Sequence, residues 1–416
     1  MTNAYLLYID PGTGSMLFSI LIGAAATLFF LGKAAILKLK IFFSGRQNGL
    51  QRDSSFKSYV IYCEGRQYQN LFKPICDEFE KRAIPLSYLT SVQDDVAFSQ
   101  NYKYVQPEFI GEGNTAFVRL NLISAGLVLM TTPGLNVYQL KRSRNVKHYA
   151  HIIHASSDAT MYRLFGIDFY DSVLLTGDYQ KKDIRFLEKQ RGIKEKELVT
   201  VGCPYLDELK KKIDSIKEDK NHTFTVLVSP SWGPSALLSR YGEKLLTPLV
   251  NSGWNIIIRP HPQSRKSESQ MLKVLEEKYK DSKNISWDYN SDNIYSMKKS
   301  DIMISDFSGI IYDYTFLCDK PVIYVNTDLD MRPYDAWYLP ENGKNIWQFT
   351  TLKKIGIELK EENFANIKNL IQDTSDSEKL KHARQQAKEE AWMYEGEASI
   401  RTVDFMISIG ENICRQ

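Results

Sequence analysis

Surplus charge is the first thing this chain lacks. Its 53 lysines and arginines meet 50 aspartates and glutamates, leaving +3 at neutral pH. So small a surplus argues against nucleic acid as a partner. Cysteine is also sparse. Five occur, at Cys63, Cys76, Cys203, Cys318 and Cys414, odd in number, widely spaced and never as CxxC. That pattern excludes a disulfide framework and a structural zinc site, and fits reduced thiols in a reducing compartment. A phosphate-binding P-loop is missing too. Gly12 and Gly14 lie in the turn-forming stretch 8–15, but no strand precedes them and no lysine follows at the required spacing.

What is present first is an apolar run. Residues 16–32 read MLFSILIGAAATLFFLG, without a charge. A helix rising about 1.5 Å per residue needs roughly 20 residues to cross a bilayer core. The run is slightly short, but Lys33 can reach the interface along its own stem, and apolar residues resume over 34–43. Asp10 precedes the run, whereas Lys33, Lys38, Lys40, Arg46 and Arg52 follow it. The positive-inside tendency therefore predicts an anchor region at 1–43: a transmembrane helix in the cell membrane, single-pass, with membrane lipids as partners and all later residues on the cytoplasmic side. A helix lying in the interface is the alternative on the same residues.

With 416 residues and 43% hydrophobic content, the chain is too long for one ordinary core, and two domains are expected. After a polar stretch at 44–56, strand-like and helix-like runs alternate. Residues 58–63, 86–90, 118–122, 127–131 and 173–176 read as strands, and 68–81 as a helix. The lysine-rich stretch 210–221 reads as a helix end and linker, after which the pattern restarts. Residues 224–229, 254–258, 285–287, 301–305 and 321–325 read as strands, and 237–251, 271–280 and 310–317 as helices. The alternation predicts an α/β protein with mostly parallel sheets. It resembles the GT-B plan: two Rossmann-type domains, at 56–209 and 221–376, face a central cleft, and a helical segment at 377–416 follows. Ligands of such sheets sit beyond the strand C-termini. The first domain would then serve the acceptor and the second the nucleotide donor.

Three clusters fall at predicted strand exits. In Arg259-Pro260-His261-Pro262, both the guanidinium and the imidazole suit phosphate oxygens. They alternate along an extended segment, which leaves one to hold structure while the other meets ligand. In Ser305-Asp306-Phe307-Ser308-Gly309, a strand passes into a helix whose first amides, with two hydroxyls, suit a diphosphate. Gly309 permits close approach. The same residues also read as ordinary helix caps. Asp313, further along that helix, is placed to orient a ligand hydroxyl or pair with a basic residue. The third cluster puts His148, His151 and His154 within seven residues. His151 and His154 are three apart, close to helical metal-ligand spacing, but no firm third ligand accompanies them, so no metal site is assigned. An imidazole that titrates near working pH suits a general base better. No cofactor is firmly implied, although Asp306 and Asp313 are compatible with a loosely held divalent cation.

Together these clusters resemble the CDP-glycerol glycerophosphotransferase family, which includes the teichoic-acid glycerol- and ribitol-phosphate transferases. The resemblance runs over roughly 56–402. It rests most on the Arg259–Pro262 and Ser305–Gly309 motifs, with Tyr312-Asp313-Tyr314, Lys320-Pro321-Val322-Ile323-Tyr324, Gly202-Cys203-Pro204-Tyr205-Leu206-Asp207 and the 396–401 segment behind them. It implies a GT-B fold and a CDP-activated polyol donor. It further implies transfer of glycerol or ribitol phosphate to a hydroxyl of a lipid-linked or polymer acceptor, with release of CMP. The family's base is a histidine of an HG-type motif, and His154, followed here by Ala155, matches it best. On this reading His154 is the base, His261 offsets charge on the leaving group, and Arg259, Ser305, Asp306, Ser308 and Gly309 hold the donor phosphates. His151 and Asp313 orient the ligand. Two other readings stand beside it: a GT-B glycosyltransferase using a nucleotide sugar, and a non-catalytic membrane-bound envelope-assembly protein.

Overall fold

The computed structural model describes Gly32 and residues 56–217, 222–290, 292–326 and 329–414. The first sheet is built from β1 (Lys57–Cys63), β2 (Leu86–Thr90), β3 (Val105–Phe109), β4 (Ala125–Met130), β5 (Val146–Ile152), β6 (Ser172–Leu175) and β7 (Glu197–Thr200). Its order is β3-β2-β1-β4-β5-β6-β7 and every pairing is parallel. The second sheet contains β8 (Thr225–Val228), β9 (Asn255–Ile258), β10 (Ile285–Trp287), β11 (Ile302–Ser305), β12 (Val322–Tyr324) and β13 (Gly356–Glu358). Its order is β10-β9-β8-β11-β12-β13, again all parallel. Two parallel sheets of this kind are the GT-B-like, two-Rossmann arrangement that the strand–helix alternation predicts. Parallel strands are covered on both faces, which is why their sequences are apolar at successive positions rather than alternating. β4 is buried at all six of its residues, and Ile302, Met303 and Ile304 of β11 are fully buried.

Helices α1 (Gln69–Lys81), α2 (Asn114–Leu120), α3 (Tyr179–Arg191) and α4 (Pro204–Ser215) belong to the first half of the chain. Helices α5 (Leu237–Val250), α6 (Ser269–Tyr279) and α7 (Ile310–Cys318) belong to the second. α8 (Glu378–Ala391) contributes Ala387 and Ala391 to the second core, beside Tyr314 and Ile355. The next helix, α9 (Ala398–Cys414), returns to the first lobe, where Val403, Phe405, Met406 and Ile409 pack with Ile61 and Phe79. The turn between α8 and α9 is moored by Asp207. It accepts hydrogen bonds from Trp392 Nε1 at 2.8 Å and from the backbone N–H groups of Gly396 at 2.8 Å and Ala398 at 3.1 Å.

One local expectation changes, and one spacing takes another meaning. The run 118–122 is not a strand but the end of α2 and its exit. Ala116 and Leu120, four apart, are buried, while Val118 and Leu122 are exposed, so the apolar period is helical. The histidine cluster is not helical: His148 and His151 lie on strand β5, and His154 lies just beyond its end.

The anchored architecture is corrected as well. No helix among the described residues is long and apolar enough to cross a membrane. Apart from Gly32, the segment 1–43, which holds the expected anchor and the Gly12–Gly14 turn, lies outside the described residues. The single-pass membrane location and the lipid partner are therefore withdrawn.

The two lobes meet through buried polar contacts. Asp335, 1% exposed, accepts from the N–H groups of Phe165 at 2.8 Å and Gly166 at 3.1 Å, and from Arg191 Nη2 at 2.5 Å. Arg191 also reaches Asp168 at 2.6 Å. Beside them, Asp158 accepts from the Gln348 N–H at 2.6 Å.

Candidate active site

In each sheet the strand order reverses once, between β1 and β4 in the first and between β8 and β11 in the second. Strand-end loops diverge at such switch points and leave a crevice, which is where open parallel sheets bind ligands. The candidate residues are best judged by whether they reach these crevices.

At the second switch point, Ser305 and Asp306 tie the loops together. Ser305 Oγ donates to the Ser229 carbonyl at 2.6 Å, joining the ends of β11 and β8. Asp306 is fully buried and accepts from the Ser231 N–H, at 3.0 and 3.1 Å to its two oxygens, and from the Leu237 N–H at 2.9 Å. In place of the phosphate contact that the motif suggests, both side chains shape the loop between β8 and α5. Ser308 is half-buried and Gly309 exposed, at the start of α7. Amides at such a helix start favour an anion.

The Arg259–His261 pair divides its roles. Arg259 Nη1 lies 2.5 Å from Asp288 and its Nη2 donates to the Asn290 carbonyl at 2.7 Å, so this guanidinium braces the exit of β9. His261 is half-buried, and its Nδ1 accepts from the Gln263 N–H at 3.1 Å. With Nδ1 occupied as an acceptor, the neutral ring carries its proton on Nε2. Burial holds its pKa below the usual histidine value, against the opposing pull of Glu268 and Asp306. The exposed Trp232 stands 6.4 Å from the His261 ring, centroid to centroid.

Asp313 is buried between α7 and α4. It accepts from the Tyr205 hydroxyl at 3.2 Å, and burial pushes its carboxyl up to about 7. Asp306 faces Ser231 and Asp313 faces Tyr205, so the two do not converge on a cation. Among the described residues, no group of three or more His, Cys, Asp or Glu side chains is placed to hold a metal ion.

At the first switch point, His154 follows β5 and Thr131 follows β4. His154 Nδ1 lies 3.1 Å from Thr131 Oγ1 and 3.2 Å from the Tyr162 hydroxyl. The same hydroxyl lies 3.1 Å from His151 Nε2. Tyr68 packs its ring 5.1 Å from that of His154. Burial lowers the His154 pKa to about 4 and that of His151, beside His154, to about 3, so both rings are neutral near pH 7. His148 is separate, with its Nε2 2.9 Å from Ser172 Oγ.

One residue links the two crevices. The loop after His154 is braced by Tyr179 and Gln180, which donate to the Ser157 carbonyl at 3.0 and 2.7 Å, and by Asp158 on the Gln348 N–H. The Tyr312 hydroxyl of α7 donates to the Gln348 carbonyl. Gln348 thus ties the loop carrying His154 to the helix that begins after Ser308. Sequence reasoning missed Thr131, Tyr162, Trp232 and Gln348. Thr131 and Trp232 follow switch-point strands, a signal available once strand order is known. Tyr162 and Gln348 sit in segments with no motif of their own.

Comparison with known proteins gives three findings. The family model described as CDP-Glycerol:Poly(glycerophosphate) glycerophosphotransferase matches residues 63–336. No curated protein sequence matches the chain. Several solved structures share its fold. A putative UDP-N-acetylglucosamine 2-epimerase from Listeria monocytogenes has a TM-score of 0.56 at 14% identity, over 86% of this chain and 98% of the other. The S. aureus MnaA–UDP co-structure has a TM-score of 0.57 at 13% identity, over 87% and 98%. The Methanocaldococcus jannaschii UDP-GlcNAc 2-epimerase in complex with UDP-GlcNAc and UDP has a TM-score of 0.53 at 13% identity, over 85% and 100%. These three similar structures name UDP or a UDP-sugar where the sequence reading expects a CDP-polyol. The expectation of glycerol- or ribitol-phosphate transfer to a membrane-linked acceptor, with release of CMP, is corrected on that finding.

Proposed function

The chain belongs to the CDP-glycerol:poly(glycerophosphate) glycerophosphotransferase family, and within that frame we propose that it is a GT-B glycosyltransferase whose donor is a nucleotide-diphosphate sugar. The observation that carries this reading is the second switch point, where Ser308 and Gly309 open α7 beside the half-buried His261. A diphosphate fits a helix start of this kind, and the UDP and UDP-sugar named for proteins of the same fold have that group. Asp306 and Ser305 keep the loops in register, and His261 offers an N–H to a phosphate oxygen. Trp232 presents an exposed aromatic face. His154 supplies the imidazole of the facing lobe. The work assigned to these groups is positioning and charge stabilisation, the main contributions when a diphosphate leaves.

The test is a donor screen. Purified protein is incubated with UDP-sugars, UDP-N-acetylglucosamine among them, and separately with CDP-glycerol, and nucleotide release is followed with and without hydroxyl acceptors. Release of UDP that rises with acceptor is expected. Release of CMP from CDP-glycerol, with the UDP-sugars inert, would overturn the proposal.

A further inference from the structure

Arg384, on α8, differs from the other well-buried arginines. Its side chain is 5% exposed, against 11% for Arg191 and 12% for Arg259. Those two hold carboxylate oxygens at 2.5 or 2.6 Å. Arg384 has one carboxylate beside it, Asp319, whose Oδ1 is 3.4 Å from its Nε, and the Asp319 carbonyl lies 3.3 Å from its Nη2. Both contacts are long, and Nη1 makes no hydrogen bond within the described protein. A buried charge is ordinarily held by close, well-aimed partners. Here burial lowers the pKa of Arg384 by more than Asp319 raises it.

The same side chain lines a cavity of about 430 Å³ between α4, α7 and α8. Thr315 lines it too. It is 2% exposed, and its Oγ1 has no hydrogen-bond partner among the described residues. A buried hydroxyl left so beside a cavity marks a place for an ordered water or a ligand. Lys210, Lys298, Lys320 and Lys388 add to the charge of Arg384, and only Asp214 and Asp319 oppose it within the lining. Asp214 is taken by Lys210 at 2.6 Å, which leaves Arg384 with the distant Asp319. Cations also gather at helix ends to answer backbone carbonyls. Lys320 does this, donating to the carbonyls of Lys298 and Ser300 at 2.7 and 2.5 Å, but Arg384 has no carbonyl so close.

We propose that this cavity is a second ligand site, for a small soluble molecule carrying a phosphate group whose oxygens pair with the Arg384 guanidinium. The planar fork of an arginine matches phosphate oxygens, and the cationic surplus of the lining favours a dianion over a single carboxylate. The volume lies within the range of ordinary small-molecule pockets, so a sugar-sized phosphomonoester has room. The site is separate from the switch-point crevice. Cys318, Asp319 and Lys320 lie just before β12, at the opposite end of the sheet from the crevice. The nine residues of α7, roughly 13 Å of helix, run from Ser308 and Gly309 to this cavity. The inference does not depend on which donor the crevice takes.

The experiment reads Cys318, the half-buried thiol of the lining. Burial pushes its pKa up to about 11, so it alkylates slowly with iodoacetamide, at a rate that peptide mass spectrometry follows. The full chain is alkylated at constant ionic strength in chloride alone, with inorganic phosphate, or with ribose 5-phosphate, up to about 10 mM, above the range of ordinary metabolite affinities. Slower reaction at Cys318 with at least one of the two is expected, roughly tenfold at ten times its dissociation constant. No slowing by either overturns the proposal, and that measurement needs no variant to fold. Arg384→Gln removes the charge and should abolish the protection, whereas Arg384→Lys should keep part of it. Full protection in folded Arg384→Gln also overturns the proposal. Vesicles of phosphatidic acid in phosphatidylcholine form the last arm. Protection by vesicles, with none from either soluble compound, would assign the cavity to a lipid headgroup and overturn the soluble ligand. No arm requires turnover, so failure of the donor screen and failure of this inference are read separately.

Discussion

Replacing Asp158 with asparagine isolates the cost of one buried charge at the lobe contact. Asp158 is 4% exposed, and its carboxylate accepts from the Gln348 N–H at 2.6 Å. Burial pushes its pKa from the ordinary 3.8 up to about 7, with Gln348 pulling the other way. Between those values the folded chain holds a proton that the unfolded chain has released. Stability from this group is therefore full below the unfolded pKa and is lost as pH rises through the folded one. At ~1.36 kcal/mol for each pH unit between the two values, the whole window amounts to about 4 kcal/mol, more than half of it between about pH 5 and about pH 8. The amide of Asp158→Asn keeps an acceptor for Gln348 and does not ionise. Its extra N–H donors impose a cost that does not depend on pH. Asp313, also raised to about 7, is present in both proteins and cancels. The assay is urea unfolding of wild type and Asp158→Asn at several pH values across that window. The stability difference should move in favour of the variant by about 2–3 kcal/mol between the two ends. A difference that is flat with pH would refute the argument from burial.

Two further substitutions test other joints. Asp335→Ala removes the acceptor for two backbone N–H groups and for Arg191, and leaves that guanidinium buried with Asp168 alone. A loss of about 3–5 kcal/mol is expected, read from the denaturant midpoint, and a loss below ~1 kcal/mol would show that the lobe contact is not held there. Asp306→Ala leaves the Ser231 and Leu237 amides without their acceptor, at a cost of about 1–3 kcal/mol for each buried amide that finds no other partner. Calorimetric titration with UDP should then show weakened binding, and unchanged affinity in a folded variant would mean that the β8–α5 loop does not shape the donor site.

The sheets were readable because their strands are short apolar runs buried on both faces. The expected strand at 285–287 matches β10, and that at 86–90 matches β2. The 118–122 run misled because Val118, Leu120 and Leu122 alternate as a strand would, and their true period shows only once Leu120 is seen to be buried and the other two exposed. β5 was hidden because its residues, Val146-Lys147-His148-Tyr149-Ala150-His151-Ile152, mix charge and imidazole into a strand that is mostly buried. At the site, motifs located the loops but not the direction of each side chain. Ser305 and Asp306 carry the same chemistry whether they face a ligand or a neighbouring amide, and only the three-dimensional contacts with Ser229, Ser231 and Leu237 decide it. Likewise, chain alternation suggested that Arg259 and His261 play different parts, and the ion pair with Asp288 shows which one braces the strand exit. The partnership of His151, Tyr162 and His154 depends on a loop folding back onto a strand, which no local pattern encodes.

The return of α9 to the first lobe has a consequence for biosynthesis. Val403, Phe405, Met406 and Ile409 complete the same core as Ile61 and Phe79, which leave the ribosome more than 300 residues earlier. The first lobe therefore waits, partly uncovered, while the whole of the second is translated. Domain-by-domain folding during synthesis, the usual protection against aggregation, is denied to it, and an apolar groove awaiting α9 is a surface that a chaperone would have reason to shield.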